Sequence, residues 1–117
     1  MYEYKVKEVI KVYDGDTITV TIDLGMHISN TIVIRLFGID TPEIRGVERP
    51  QGLESKKWLK KKLLSAVKQG QCILIRTHKD KKGKYGRMLG ELFLNSFDTV
   101  SLNTQLVELG LAEVNFY

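Results

Sequence analysis

The chain has 117 residues and a mass of 13.4 kDa, the size of one domain. Its 43% apolar and 27% charged residues are those of a globular protein, not of a disordered one. One cysteine, Cys72, excludes an intrachain disulfide framework, and the absence of any run of about 18 apolar residues gives no candidate membrane-spanning helix. The net charge of +4 is unevenly spread: residues 1–54 carry −3, residues 55–90 carry +11 and residues 91–117 carry −4. A basic middle third reads either as a polyanion site, where Lys and Arg displace counterions from phosphates, or as a solvated helix face.

Residues 4–13 read as a first strand, followed by the turn Asp14-Gly15-Asp16. Thr17 to Leu24 alternates β-branched apolar and polar residues with period 2, a half-buried strand. Gly25 to Asn30 is a turn. Thr31 to Phe37 is a third strand, with Ile32, Ile34 and Leu36 on one face and Val33, Arg35 and Phe37 on the other. Pro42 stiffens the corner that ends it. Residues 43–52 read as a polar loop. The spacing of Leu59, Leu63, Ala66 and Val67 predicts a helix over 53–69, stopped by Gly70. Residues 72–77 and 87–94 are a fourth and a fifth strand, joined as a hairpin by a basic turn. Leu102, Leu106 and Leu109 predict a short helix capped by Ser101 and stopped by Gly110. The tail from Leu111 reads as one more short extended segment. The order βββ-α-ββ-α is that of a mainly β, five-stranded OB-fold barrel, which commonly binds oligonucleotides; a small α+β sandwich has the same order. With no repeat and no linker, residues 1–117 read as a single domain.

Three polar clusters fall at strand ends. Asp14-Gly15-Asp16-Thr17 is in itself an ordinary hairpin turn. In the second, Arg35 occupies a strand position where burial is costly without an anionic partner, with Asp40 or Glu43 as candidates for a salt bridge. Asp40 and Glu43 flank the stiff corner. A hard cation such as Ca2+ takes carboxylates, backbone carbonyls and water, and Asp16, Asp40 and the Thr41 carbonyl supply that set if the corner meets the Asp14–Asp16 turn. The third cluster is Lys84-Tyr85-Gly86-Arg87, either a basic surface turn or a phosphate contact with an aromatic ring for stacking. Together they form a kit for phosphodiester hydrolysis: a metal and arginines to stabilise charge on phosphate oxygens, and a carboxylate to take a proton from water.

The segments VYDGDTITV (12–20), IRLFGIDTPE (34–43), KYGR (84–87) and VELGLAEV (107–114) carry a resemblance to the staphylococcal nuclease family, running from about residue 5 to the end of the chain. The resemblance implies an OB barrel. It implies Asp16 and Asp40 as Ca2+ ligands, with the Thr41 carbonyl as another. Glu43 would activate or orient the attacking water, and Arg35 and Arg87 would grip the scissile phosphate. Lys84 and Tyr85 would contact a neighbouring phosphate. The family cleaves the bond from phosphorus to the 5′ oxygen in DNA and RNA, leaving 3′-phosphate ends. Two departures stand out. Phe116 matches a tyrosine of the prototype, so it keeps base stacking and loses a hydrogen bond. The chain stops at Tyr117, where the prototype continues into a third helix, which bears on stability more than on chemistry.

The remaining expectations are plainer. Trp58 packs the helix on the barrel, and Cys72 is a small buried hydrophobe in a strand. His27 and His78 lack zinc-ligand spacing. The expected partners are single-stranded or frayed DNA and RNA, with no membrane, and the expected state is a monomer. No signal peptide is visible at the N-terminus, which places the chain in the cytoplasm if it is complete as given and outside the cell if a leader was removed. The rival reading is an OB module that binds nucleic acid or protein without cutting; the retained Asp16, Arg35, Asp40, Glu43 and Arg87 favour the enzyme.

Overall fold

A computed structural model of the chain describes residues 2–78, 88–94 and 100–115. Strand β1 (Glu3–Asp14) turns through Gly15 and Asp16 into β2 (Thr17–Asp23), which pairs antiparallel with β3 (Ser29–Leu36). Strand β6 (Met88–Phe93) lies parallel to β3, and β5 (Leu74–His78) lies antiparallel to β6. The ladder returns from β5 to β1, closing a barrel in the order β1-β2-β3-β6-β5. Closure rests on β1. Its register with β2 shifts between Val6 and Glu8, between Val9 and Lys11, and between Val12 and Asp14. Such bulges coil a long strand, so one end of β1 serves β5 while the rest serves β2. Closing the sheet removes its exposed edges.

The expected alternation holds where it is strongest. Ile18, Val20 and Ile22 of β2 are buried, and Ile34 and Leu36 of β3 join them. Leu24 follows the same alternation yet is exposed, because the chain leaves the strand there for a turn with positive φ at Gly25, Met26 and His27. The helix α1 (Arg49–Lys68) starts four residues before the expected position. Pro50, in its first turn, has φ pre-set for helix and lacks the N–H that would find no helical partner there. Residues 46–48 form a 3-10 turn before it, so the expected loop 43–52 is mostly helical. Helix α1 buries Gly52, Ser55, Leu59, Leu63 and Ala66, but Val67 faces solvent. Trp58 packs against the core as expected.

Strand β5 begins at Leu74, two residues later than expected. Cys72 lies outside it and is exposed, which corrects its reading as a buried hydrophobe. Residues 71–73 are instead spent on the passage from α1, where Gln71 N–H bonds the Ala66 carbonyl. Helix α2 (Leu102–Glu108) carries the expected cap, with Ser101 Oγ accepting from Thr104 N–H at 3.1 Å. Leu102 and Leu106 are buried; Leu109 lies past the last turn and is exposed. The tail does form an extended segment. β7 (Glu113–Val114) pairs with β4 (Ile39–Asp40), directly after β3. Among the described residues no helix is long and apolar enough to cross a membrane.

Candidate active site

Pairing of Thr17 with Arg35 puts the Asp14–Asp16 turn and the end of β3 at the same end of the barrel. A cleft of about 620 Å3 opens there, lined by Asp14, Asp16, Arg35, Asp40, Thr41 and Glu43, with Glu48 and residues 110–113 at its rim. The corner at Asp40–Pro42 therefore meets the Asp14–Asp16 turn, as the Ca2+ donor set requires. Thr41 N–H donates to Asp16 Oδ2 at 3.0 Å, tying the two segments together. Gly15 lets them close: a Cβ there would lie 2.7 Å from Thr41 Cγ2 and 2.7 Å from Ser55 Cβ.

Arg35 is buried and forms ion pairs with both Asp16, at 3.3 Å, and Asp40. Its Nη1 also donates to the Leu36 carbonyl. Of the two partners expected for Arg35, Asp40 is found and Glu43 is not; Asp16 takes that place. One guanidinium thus gathers two carboxylates into one spot, the fixed fork of donors setting their spacing. Asn115 Nδ2 donates to the other oxygen of Asp40, while Asn115 N–H bonds the Gly38 carbonyl at 2.8 Å. Asn115 is absent from the expectations above. Its contact spans 75 positions, and only the β4–β7 pairing creates it.

The chemistry of this donor set suits a hard cation. Asp16 and Asp40 both pair with Arg35, and Thr41 Oγ1 is buried without a hydrogen-bond partner among the described residues. Such an ion takes six to eight oxygens, so water would complete the shell. Among the described residues no group of three His, Cys, Asp or Glu side chains has the geometry to hold a metal ion by itself. Asp14 sits beside them with its carboxyl pushed up to about 7, first by burial and then by its hydrogen bond and charge contact with Asp16. Glu43 is exposed and, among the described residues, has no ion-pair partner.

Helix α1 fixes the loop that carries Glu43. Gly52 approaches the Glu43 backbone so closely that a Cβ would lie 2.2 Å from its carbonyl oxygen. Ser55, fully buried, donates to the Leu111 carbonyl at 2.6 Å and so ties the helix to the rim segment. Lys84, Tyr85, Arg87 and Phe116 lie outside the described residues. His78, set aside as a zinc ligand, pairs with Glu91 at 2.6 Å and stacks on Phe37.

A family model described as staphylococcal nuclease homologue matches residues 33–117. A thermonuclease of Staphylococcus hyicus is 33% identical over 113 residues, covering 94% of this chain and 59% of its own. A thermonuclease of Staphylococcus intermedius is 32% identical over 117 residues, covering 97% and 60%. An uncharacterised protein of Methanocaldococcus jannaschii is 29% identical over 133 positions, covering 97% and 60%. The chain thus spans less than two thirds of the length of these relatives.

Proposed function

Because this chain belongs to the staphylococcal nuclease family, we propose that it is a Ca2+-dependent nuclease acting on single-stranded or frayed DNA and RNA with little sequence specificity. It hydrolyses the bond from phosphorus to the 5′ oxygen and leaves 3′-phosphate ends. One observation carries the reading beyond the family. The cleft of a chain with net charge +4 is lined by Asp14, Asp16, Asp40, Glu43, Glu48 and Glu113, against Arg35 as the described cation. A surface so acidic repels a phosphodiester unless a cation sits in it.

In this reading Asp16, Asp40 and the Thr41 carbonyl hold Ca2+, which when bound supplies Lewis-acid stabilisation of charge on the phosphate oxygens. Arg35 keeps the two carboxylates together and presents positive charge to the phosphate. Glu43 accepts a proton from the attacking water; its exposure, with no ion pair among the described residues, supports that role. The water oxygen forms a bond to phosphorus, the bond to the 5′ oxygen breaks, and that oxygen takes up a proton from solvent. Arg87 is the second phosphate grip, Lys84 and Tyr85 hold a neighbouring phosphate, and Phe116 stacks on a base.

The test is digestion of single-stranded DNA with Ca2+, with Mg2+ and with EDTA, beside a Glu43→Ser variant. Cutting that requires Ca2+ and falls sharply in the variant is the expected result. Binding without cutting under all three conditions makes the chain a non-catalytic nucleic-acid-binding module.

A further inference from the structure

Helix α1 carries Arg49, Lys56, Lys57, Lys60, Lys61, Lys62 and Lys68 against one acid, Glu54. Most of these side chains face open solvent, but Lys56 and Lys60 line a groove between α1 and β1, with Lys11 on the opposite wall. None of the three makes an ion pair among the described residues. The groove is not purely polar. Ile10 and Leu64 line it while remaining 50% and 48% exposed, although other large apolar side chains of α1, such as Leu59 and Leu63, are fully buried. Three unpaired cations around exposed apolar side chains match a chain of phosphates that also carries flat apolar faces.

The groove and the acidic cleft are lined by successive residues of β1. Residues 9–12 of β1 line the groove, and Tyr13 and Asp14, next along the same strand, line the cleft. On the helix side, Ser55 abuts Gly15 of the cleft turn, Lys56 follows, and Lys60 lies about 6 Å further along the axis. Lys11 Nζ lies 5.4 Å from the centre of the Tyr13 ring, so a cation and an aromatic face stand together where β1 passes from one to the other.

We propose that the α1–β1 seam is a binding track for single-stranded nucleic acid flanking the reacting phosphate, with Lys11, Lys56 and Lys60 as its phosphate contacts. The proposal rests on the nuclease reading for the strand's route through the cleft. An acidic peptide has the charge for the seam but no reason to continue into a cleft lined by carboxylates.

The test uses the full chain carrying Glu43→Ser, in Ca2+, so that the cleft keeps its cation while binding is read with cutting suppressed. Fluorescent oligothymidylates of about 14 and about 4 nucleotides are titrated by anisotropy across a salt series. The variant Lys11→Gln/Lys56→Gln/Lys60→Gln is compared with Lys57→Gln/Lys61→Gln/Lys68→Gln, which removes the same charge from outside the seam. Each lost single-strand phosphate contact removes about 0.7 from the salt slope, so the seam variant should lose about 2, and about 100-fold in affinity at about 0.1 M salt, for the long oligomer only. The outer variant should retain the parent slope. Circular dichroism checks folding, and Lys60→Gln alone, at an exposed position, reads one third of the effect if the triple variant does not fold. Equal losses in both triple variants, equal losses for both oligomers, or tighter competition by an oligoglutamate peptide than by unlabelled oligothymidylate overturns the proposal. An unsubstituted chain that fails to cut with Ca2+, together with the seam-specific slope, refutes the nuclease reading and keeps the seam; an unsubstituted chain that cuts, with slopes unaltered in the seam variant, does the reverse.

Discussion

Arg35 illustrates how one buried charge organises a site. Its position on β3 is visible in the alternation of the strand, and burial there demands an anionic partner. Folding supplies two. Removing the guanidinium leaves the buried Asp16 carboxylate without its cation, while Asp40 stays partly in solvent. Arg35→Ala should therefore cost about 3 kcal/mol of stability, measured by denaturant unfolding, at the lower end for a broken buried pair. Under the nuclease reading it should also slow cutting by about 10²–10³-fold. Asp14 gives a second prediction at this scale. Its folded pKa is raised above the unfolded value, so the fold favours the protonated carboxyl. That contribution to stability is complete below about pH 3.8 and is lost as pH rises through about 7. In chelator, Asp14→Asn should gain stability relative to the parent as pH is raised across this window. A parent-to-variant difference that stays flat from pH 4 to pH 8 would contradict it. The side-chain oxygen of Asn keeps the acceptor for Asp16 N–H.

At the scale of elements, the first turn of α1 decides where Glu43 stands. Alanine is a better helix former than glycine by about 1 kcal/mol. Gly52→Ala should nevertheless destabilise the protein, because its Cβ meets the Glu43 carbonyl at 2.2 Å and backbone must move. A net loss of about 1–2 kcal/mol is expected, read as a fall in Tm, with activity falling further because the loop bearing Glu43 shifts. A rise in Tm would show that the contact is not a constraint. Helix α1 also shows the limits of reading elements from pattern. The Leu59, Leu63 and Ala66 spacing marks its core face, but its start was hidden in a polar stretch. The turns before Leu53 are held by a backbone contact with a loop, not by an apolar stripe. Val67 and Leu109 continue helical patterns yet are exposed, the first in the last turn of α1 beside the buried Ala66 and the second just past the end of α2.

For the whole molecule, closure of the barrel joins both ends of the chain to one unit. β1 pairs with β5, and β7 returns to β4 beside the cleft. Trp58, the sole tryptophan, packs on the core under α1, while circular dichroism reports the strands and helices together. Unfolding followed by the two signals should give coincident transitions, as one cooperative domain requires; separated midpoints would divide it.

The amino-acid sequence by itself determined the strand alternation, the caps at Ser101 and Gly70, the βββ-α-ββ-α order and the family motifs, because each depends on neighbours a few positions apart. Only the tertiary structure decided that Asp16 joins Asp40 on Arg35, that Asn115 reaches Asp40, that Gly52 sets the Glu43 loop, and that Cys72 lies in solvent. These depend on closure of the sheet, which brings together residues far apart in the chain and selects among partners that local pattern leaves equivalent.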